Sequence, residues 1–451
     1  MIERMKAVAA VGAVAAFWLA VWVFVAALVA QPLILPGPGA VVVALLRLVC
    51  DAGTWAILAG SGARILGGLA LAAVCGGLLA GISSRSRAFA RLVAPALSFV
   101  KATPVACVVV LLLIWLGSAR VSIAAVFLMA LPGVYFSLVE GLTQADKPLE
   151  QMFRLHGVRG WRLFCAHIWR EVLPFVLSCA RAVIGMSWKA GVAAELIGMA
   201  VGTVGERIYQ AKLLIETADL LAWTVLVVMA SWACERVLVW LLRASGPAAW
   251  RAAVLSHGHG LRGRAGAASD GAAAELALAV GDRAPWAPAL DGLVLNVPAG
   301  GRICVMGTSG VGKSTLLALA AGECAPCSMV FQDVRLVEGA SALDNVLVCA
   351  DARVDASSAA ALLRLLVPGV DVHARVAELS GGQRRRVEIA RALLCPGGAV
   401  ILDEPFTGLD TAARDACAEV VLDLLVGRML LLATHDAVDA QALNISDIIT
   451  L

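Results

Sequence analysis

The sequence predicts two folds in one chain: an α-helical membrane domain of six transmembrane helices, then a soluble α/β domain built around a phosphate-binding loop. Three observations carry that prediction. Mean hydropathy is +0.87, with 61% apolar and only 15% charged residues, more apolar than a water-soluble protein needs. The apolar residues before Arg243 gather into runs of bilayer length. Beyond residue 275 the runs shorten into strands that alternate with helical patterns, as a parallel sheet requires. A chain of 451 residues has room for both parts.

The first run, Val8 to Ala30, follows Arg4 and Lys6. Its tail, Ala27-Leu-Val-Ala30, has the small residues of a signal-peptide cleavage site, but a run of about 23 residues matches a bilayer span and predicts a retained helix. Five further runs lie near 56–82, 92–116, 121–139, 175–200 and 220–242. With the N-terminus cytoplasmic, the inner loops are 83–91, carrying Arg85, Arg87 and Arg91, and 140–174, carrying Lys147, Arg154, Arg159, Arg162 and Arg170. The outer segments hold fewer cations, Arg207 and Lys212 among them, so the positive-inside rule supports this orientation. Six crossings return the chain to the cytoplasm at Arg243. The expected domains are therefore a transmembrane domain over 1–243, a flexible basic linker over 244–274 and the α/β domain over 275–451.

Within the spans, Gly67, Gly68, Gly76, Gly77 and Gly81 predict close helix approach. Arg64, Lys189 and Glu195 are costly in lipid unless paired or facing a cavity. Arg64 and Lys101 are expected near helix ends, and Lys189 and Glu195 either line a pathway or join an internal ion pair. The 12 cysteines are scattered and read as buried thiols. Cys324-Ala-Pro-Cys327 has no second pair, and His257-Gly-His259 has no further ligands, so neither makes a metal site. A net charge of +3 gives no case for nucleic acid.

The chemistry concentrates in the second half. Gly307-Thr-Ser-Gly310-Val-Gly312-Lys313-Ser314-Thr315 follows the strand Ile303–Met306 and opens a helix. Glycines let backbone amides wrap a phosphate, and the helix N-terminus adds positive potential. Lys313 is placed to reach β/γ-phosphates and Ser314 to hold Mg²⁺. Val400-Ile-Leu-Asp403-Glu404 ends a strand in two carboxylates, one suited to the metal and one to polarising water. These point to a nucleoside triphosphate bound with Mg²⁺.

Leu379-Ser380-Gly381-Gly382-Gln383 completes a set that resembles the ATP-binding cassette family, over most of residues 290–451. The resemblance implies that Gln332 is the Q-loop glutamine and that Asp410, in Gly408-Leu-Asp410, marks the D-loop. It further implies His435 as the switch histidine contacting the γ-phosphate and Glu404 as general base. Lys313 would join them as a catalytic cation, while Ser314, Gln332 and Asp403 hold Mg²⁺. It also implies a dimer, with a second copy or a related half-transporter, because the signature glycines form an anion site that needs a phosphate from a facing cassette. Two departures stand out. Lys313 and Gln332 are only about 19 residues apart, which predicts a trimmed antiparallel subdomain, and the adenine-stacking aromatic is uncertain. Trp286 is the nearest candidate, whereas ungapped alignment puts Ala284 there.

From Leu35 to Arg243 the chain resembles permeases of nitrate, sulfonate and taurine importers, on Leu35-Pro-Gly-Pro38, Ser61-Gly-Ala-Arg64, Ala102-Thr-Pro104, Trp115-Leu-Gly117 and the stretch Trp188 to Glu195. The inner loop around Arg154, Gly157, Leu173 and Pro174 resembles the coupling loop that docks on a cassette, with Gln151-Met-Phe153 and Trp169-Arg170 departing from the pattern. The resemblance implies a multi-pass protein of the bacterial inner membrane, with its ATPase domain cytoplasmic, taking solute from an extracytoplasmic binding protein. The alternatives are a half-size exporter, for which cytoplasmic loops of about 9 and about 35 residues are short, and a mechanotransmitting cassette protein, for which the outer loops are small.

Overall fold

The computed structural model describes residues 2–256, 275–280 and 287–451. The chain divides into two compact units. One comprises Met1–Gln144 and Val172–Ser245; the other comprises Ala145–Glu171 and Gly246–Leu451.

The first unit is helical: α1 (Ile2–Val29), α2 (Pro38–Cys50), α3 (Ala52–Arg85), α4 (Arg87–Ala102), α5 (Val105–Leu116) and α6 (Ser118–Gln144). After an excursion through the second unit, described below as α7 and α8, it resumes with α9 (Trp169–Gly198), α10 (Val204–Leu213) and α11 (Thr217–Leu255). Among the described residues, five helical stretches are long and apolar enough to cross a bilayer. The sixth expected span, 92–116, is instead two helices, α4 and α5, that meet at 102°. Pro104 explains the break: it lacks an N–H and drives the preceding Thr103 out of helical geometry, to ψ 129°. Residues 244–255, expected in the linker, are instead helical. α11 continues through Pro247 to Leu255, with Ala248, Ala249, Ala252 and Ala253 favouring helix beyond the proline; residues 257–274, including His257 and His259, lie outside the described ones.

Lipid-facing chemistry is plain on α1, where Phe17, Trp18, Phe24 and Leu28 are exposed. Inside the unit, Gly76 of α3 lets α6 approach closely: a Cβ there would sit 2.9 Å from Val134 Cγ1, whereas Gly81 has nothing within 4 Å. Glu195 of α9 is fully buried. It accepts hydrogen bonds from Ser61 Oγ at 2.8 Å and Arg64 Nε at 3.2 Å, both on α3, and faces the Gly205 amide of α10 at 3.4 Å. The carboxylate is thus an internal ion pair, while Lys189 stands exposed on α9.

The second unit carries a five-stranded parallel sheet in the order β4-β5-β6-β3-β7. Its strands are β3 (Arg302–Met306), β4 (Ser328–Val330), β5 (Ala399–Asp403), β6 (Met429–Thr434) and β7 (Asp447–Thr450). The central strands β5 and β6 are buried along their whole length, which is why they read as unbroken apolar runs. Among the described residues, the antiparallel layer is one pair, β1 (Leu276–Ala279) with β2 (Val294–Val297). Helices α12 (Lys313–Glu323), α13 (Ala342–Leu347), α14 (Ala356–Leu366), α15 (Gly381–Leu394), α16 (Thr411–Leu425) and α17 (Ala437–Ala442) cover the sheet.

The inner segment Ala145–Glu171 belongs to this unit and shares its core. It forms α7 (Lys147–Leu155), a short α8 (Gly160–Leu163) and a wide turn, Phe164–Ile168. Met152 and Phe153 are fully buried with Leu149, Val158 and Leu163 in one cluster with the sheet's apolar residues. Polar contacts seat the segment further. The Cys327 amide donates to Leu155 O at 3.0 Å, and the Met329 amide donates to His156 Nε2 at 3.2 Å. Arg162 Nη2 donates to Val348 O at 2.9 Å.

Candidate functional site

The order of the sheet assembles the site. Strands β4, β5, β6 and β3 are parallel neighbours, so the residues that follow them emerge side by side at one edge. Those residues are Gln332 after β4, Asp403-Glu404 at the end of β5, His435 after β6 and the loop from Gly307 after β3. A cavity of about 170 Å³ opens there, lined by Ser309, Gly310, Gly312, Lys313, Ser314, Thr315, Gln332 and Glu404.

Gly312 caps α12 at φ 115°, a conformation that glycine alone adopts freely, and a Cβ there would press on Leu290 and Ala287 at 3.3–3.4 Å. Lys313 is nearly buried and curls back, donating to Gly307 O at 2.7 Å and Thr308 O at 3.0 Å. That ammonium is held by neutral carbonyls of its own loop, a set-up an incoming phosphate can outbid. Burial pushes the Asp403 carboxyl above its ordinary value, while the Ser314 hydrogen bond pulls it back. Ser314, Gln332 and Asp403 offer oxygen donors only, the chemistry that suits Mg²⁺. Glu404 stands at φ 46°, in left-handed space, with its amide on Ala433 O at 2.9 Å. Its carboxylate meets His435 Nδ1 at 3.3 Å.

The signature lies outside this cavity. Ser380 caps α15 in a capping box, accepting from the Gln383 amide at 3.3 Å while the Ser380 amide donates to Gln383 Oε1 at 2.9 Å. Gly381 is open, and Gly382 faces Gly408 O and Leu409, which sets Leu379–Gln383 beside the loop leading to Asp410. Asp410 caps α16 through the Ala413 amide at 2.7 Å. Trp286 and Ala284 lie outside the described residues.

Arg385 and Glu388 escaped sequence reasoning. Arg385, buried on α15, donates to Phe331 O and Gln332 O, each at 2.5 Å, and pairs with Glu388 at 2.9 Å. Glu388 also pairs with the buried Arg391 at 3.3 Å and accepts from the Arg335 amide at 3.2 Å. The signature helix therefore grips the backbone that carries Gln332. The i, i+3 spacing of charges in Arg385-Arg-Val-Glu388-Ile-Ala-Arg391 was the available signal.

Docking of the inner segment also differs from expectation, at Arg154, Leu173 and Pro174. Arg154 is exposed and reaches back to Glu150 at 2.7 Å; an i, i+4 partner on α7 is nearer than any cassette carboxylate. The contacts run instead through Gln151, which accepts from Arg335 at 3.3 Å, and through Met152, Phe153 and His156. Gly157 turns the chain at φ 79°. Leu173 and Pro174 lie on α9, in the other unit.

The family model "Binding-protein-dependent transport system inner membrane component" matches residues 73–251. The model "ABC transporter" matches residues 325–407. The aliphatic sulfonates import ATP-binding protein SsuB of Escherichia coli K12 is 36% identical over 179 residues, 34% of this chain and 68% of that protein. The taurine import ATP-binding protein TauB of Chromobacterium violaceum is 38% identical over 182 residues, 34% of this chain and 68% of that protein. SsuB 1 of Rhizobium johnstonii is 35% identical, with 66% of its length covered, so the chain spans about two thirds of each relative. The dimeric cassette MJ0796 bound to ADP and Pi aligns at 24% identity with a TM-score of 0.33, covering 36% of this chain and 86% of that one.

Proposed function

The chain belongs to the ATP-binding cassette transporter family, as a multi-pass membrane protein that couples ATP hydrolysis to transport; on that premise, we propose that it is one half of an importer for a small sulfonate- or taurine-like anion. Two copies would face each other, each phosphate loop closed by the partner's Ser380 to Gln383, with the solute delivered by an extracytoplasmic binding protein at a bacterial inner membrane. Trp286 would be the stacking aromatic.

One observation carries this reading: the phosphate loop, Gln332 and Glu404 converge on one cavity of about 170 Å³. Lys313 leaves its loop carbonyls for the β/γ-phosphates; Ser314, Asp403 and Gln332 would hold Mg²⁺, which would neutralise phosphate charge. Glu404 accepts a proton from the attacking water, and His435, 3.3 Å from that carboxylate, steadies the γ-phosphate. The buried inner segment supports a mechanical route: force on the cassette core moves Ala145–Glu171 with it, and Gln332 is tied to α15 by Arg385. The proposed domain limits are 1–243 for the permease and 275–451 for the cassette, with Ala145–Glu171 as the coupling element.

The test uses proteoliposomes with the cassettes facing outward. Labelled taurine or an alkanesulfonate sealed inside with the solute-binding protein should leave only when Mg-ATP is added outside. ATP-driven entry of solute would reverse the assigned direction.

A further inference from the structure

A second cavity in the unit that holds the cassette, of about 470 Å³, is lined by Arg170, Arg251 and Arg375 together with Trp250, Gly339 and Asp344. It shares no residue with the nucleotide cavity. None of the three arginines has an ion-pair partner among the described residues. Arg170 is half-buried, and its guanidinium lies 5.9 Å from the Trp250 ring centroid. It packs so tightly on Gly339 that a Cβ there would collide with Nη2. The single acid, Asp344, already accepts from Trp250 Nε1 at 3.2 Å. A half-desolvated guanidinium that is held in place and lacks a counter-ion costs free energy until an anion arrives.

We propose that this pocket binds a phosphate-bearing anion, gripped by Arg170, Arg251 and Arg375. Guanidiniums match phosphate oxygens in a bidentate fork, and three of them suit a group with several acceptors. The phosphate comes from an anionic lipid headgroup or from a free phosphate. Sequence position favours the headgroup: Arg170 precedes the apolar run 175–200 by five residues, and Arg251 follows Leu242, at the end of the run 220–242, by nine. On continuous helix, nine residues are about 14 Å, within reach of the interfacial layer. An occupied pocket would fix Arg170 and Arg251 against Gly339 and Asp344 within the unit that holds the cassette.

The test uses the whole chain in nanodiscs, with saturating Mg-ADP filling the phosphate loop. Native mass spectrometry counts phosphatidylglycerol retained from mixed phosphatidylcholine discs. In pure phosphatidylcholine discs, the unfolding midpoint is followed as millimolar inorganic phosphate is added. Lipid retention falling roughly fivefold per arginine removed in Arg170→Gln and Arg251→Gln assigns a headgroup site. A phosphate-induced rise in midpoint that these variants lose assigns a free-anion site. Native and variant chains behaving alike in both assays overturns the proposal. Arg375→Gln, at an exposed position, keeps the test decisive if Arg170→Gln folds poorly, and unchanged ADP binding reports that each variant is folded.

Discussion

Glu404 holds φ 46°, a conformation that costs a side-chain-bearing residue on the order of 1–3 kcal/mol. It persists because its amide and carboxylate are both tied to the β6 end, at Ala433 and His435. Glu404→Gln keeps that geometry and removes the base. ATP turnover, read as phosphate release, should fall by about 100-fold or more, while ATP affinity stays within about twofold. Asp403 gives a signed pH effect. Its folded pKa lies above the ordinary 3.8, so the neutral form favours the fold below that value, and this stability is lost as pH rises through the folded pKa. Asp403→Asn should therefore raise the unfolding midpoint at pH 7 yet abolish Mg²⁺-dependent turnover, and the midpoint gain should shrink at pH 4. Cysteine reactivity follows burial as well. Cys327 is pushed up to about 12, and Cys304 and Cys417 to about 11, so iodoacetamide at pH 8 should spare all three until the chain unfolds; fast alkylation in the native chain would contradict this packing.

At the scale of elements, α15 couples two sequence-distant pieces. Glu388→Gln would leave Arg385 and Arg391 buried without their carboxylate, a loss of about 3–5 kcal/mol, read as a lower unfolding midpoint; no change would mean solvent reaches the triad. Phe153→Ala on α7 removes a fully buried ring at about 3–5 kcal/mol and should also weaken the dependence of ATP turnover on solute. Such ties explain which parts of the molecule were legible in sequence. The phosphate loop, Asp403-Glu404 and the signature are contiguous, and local backbone chemistry writes them in fixed spacing. Arg385 meeting Gln332, or His156 meeting Met329, joins positions 53 and 173 residues apart, and only the fold brings them together. The 102° break between α4 and α5 hid for another reason, since hydropathy averages over Pro104.

For the whole molecule, the signature lies outside the cavity that holds the phosphate loop, which fits the proposed pairing with a second copy or a related half-transporter. Cysteines introduced at Ser380 and Gly310 should cross-link between chains with ATP present and not without it. Gly157→Leu, strained at φ 79°, should leave ATPase running while solute movement drops severalfold.

Met152 and Phe153 sit in the same apolar cluster as the strands of the sheet, although the chain between Phe153 and β3 first passes through α9 to α11. During synthesis, the sheet must close around a piece made well over a hundred residues earlier. An isolated 275–451 fragment would be born with a greasy hollow where those side chains belong. It should aggregate when expressed alone, and a cassette supplied as a separate gene product should fail to rescue a truncated membrane half.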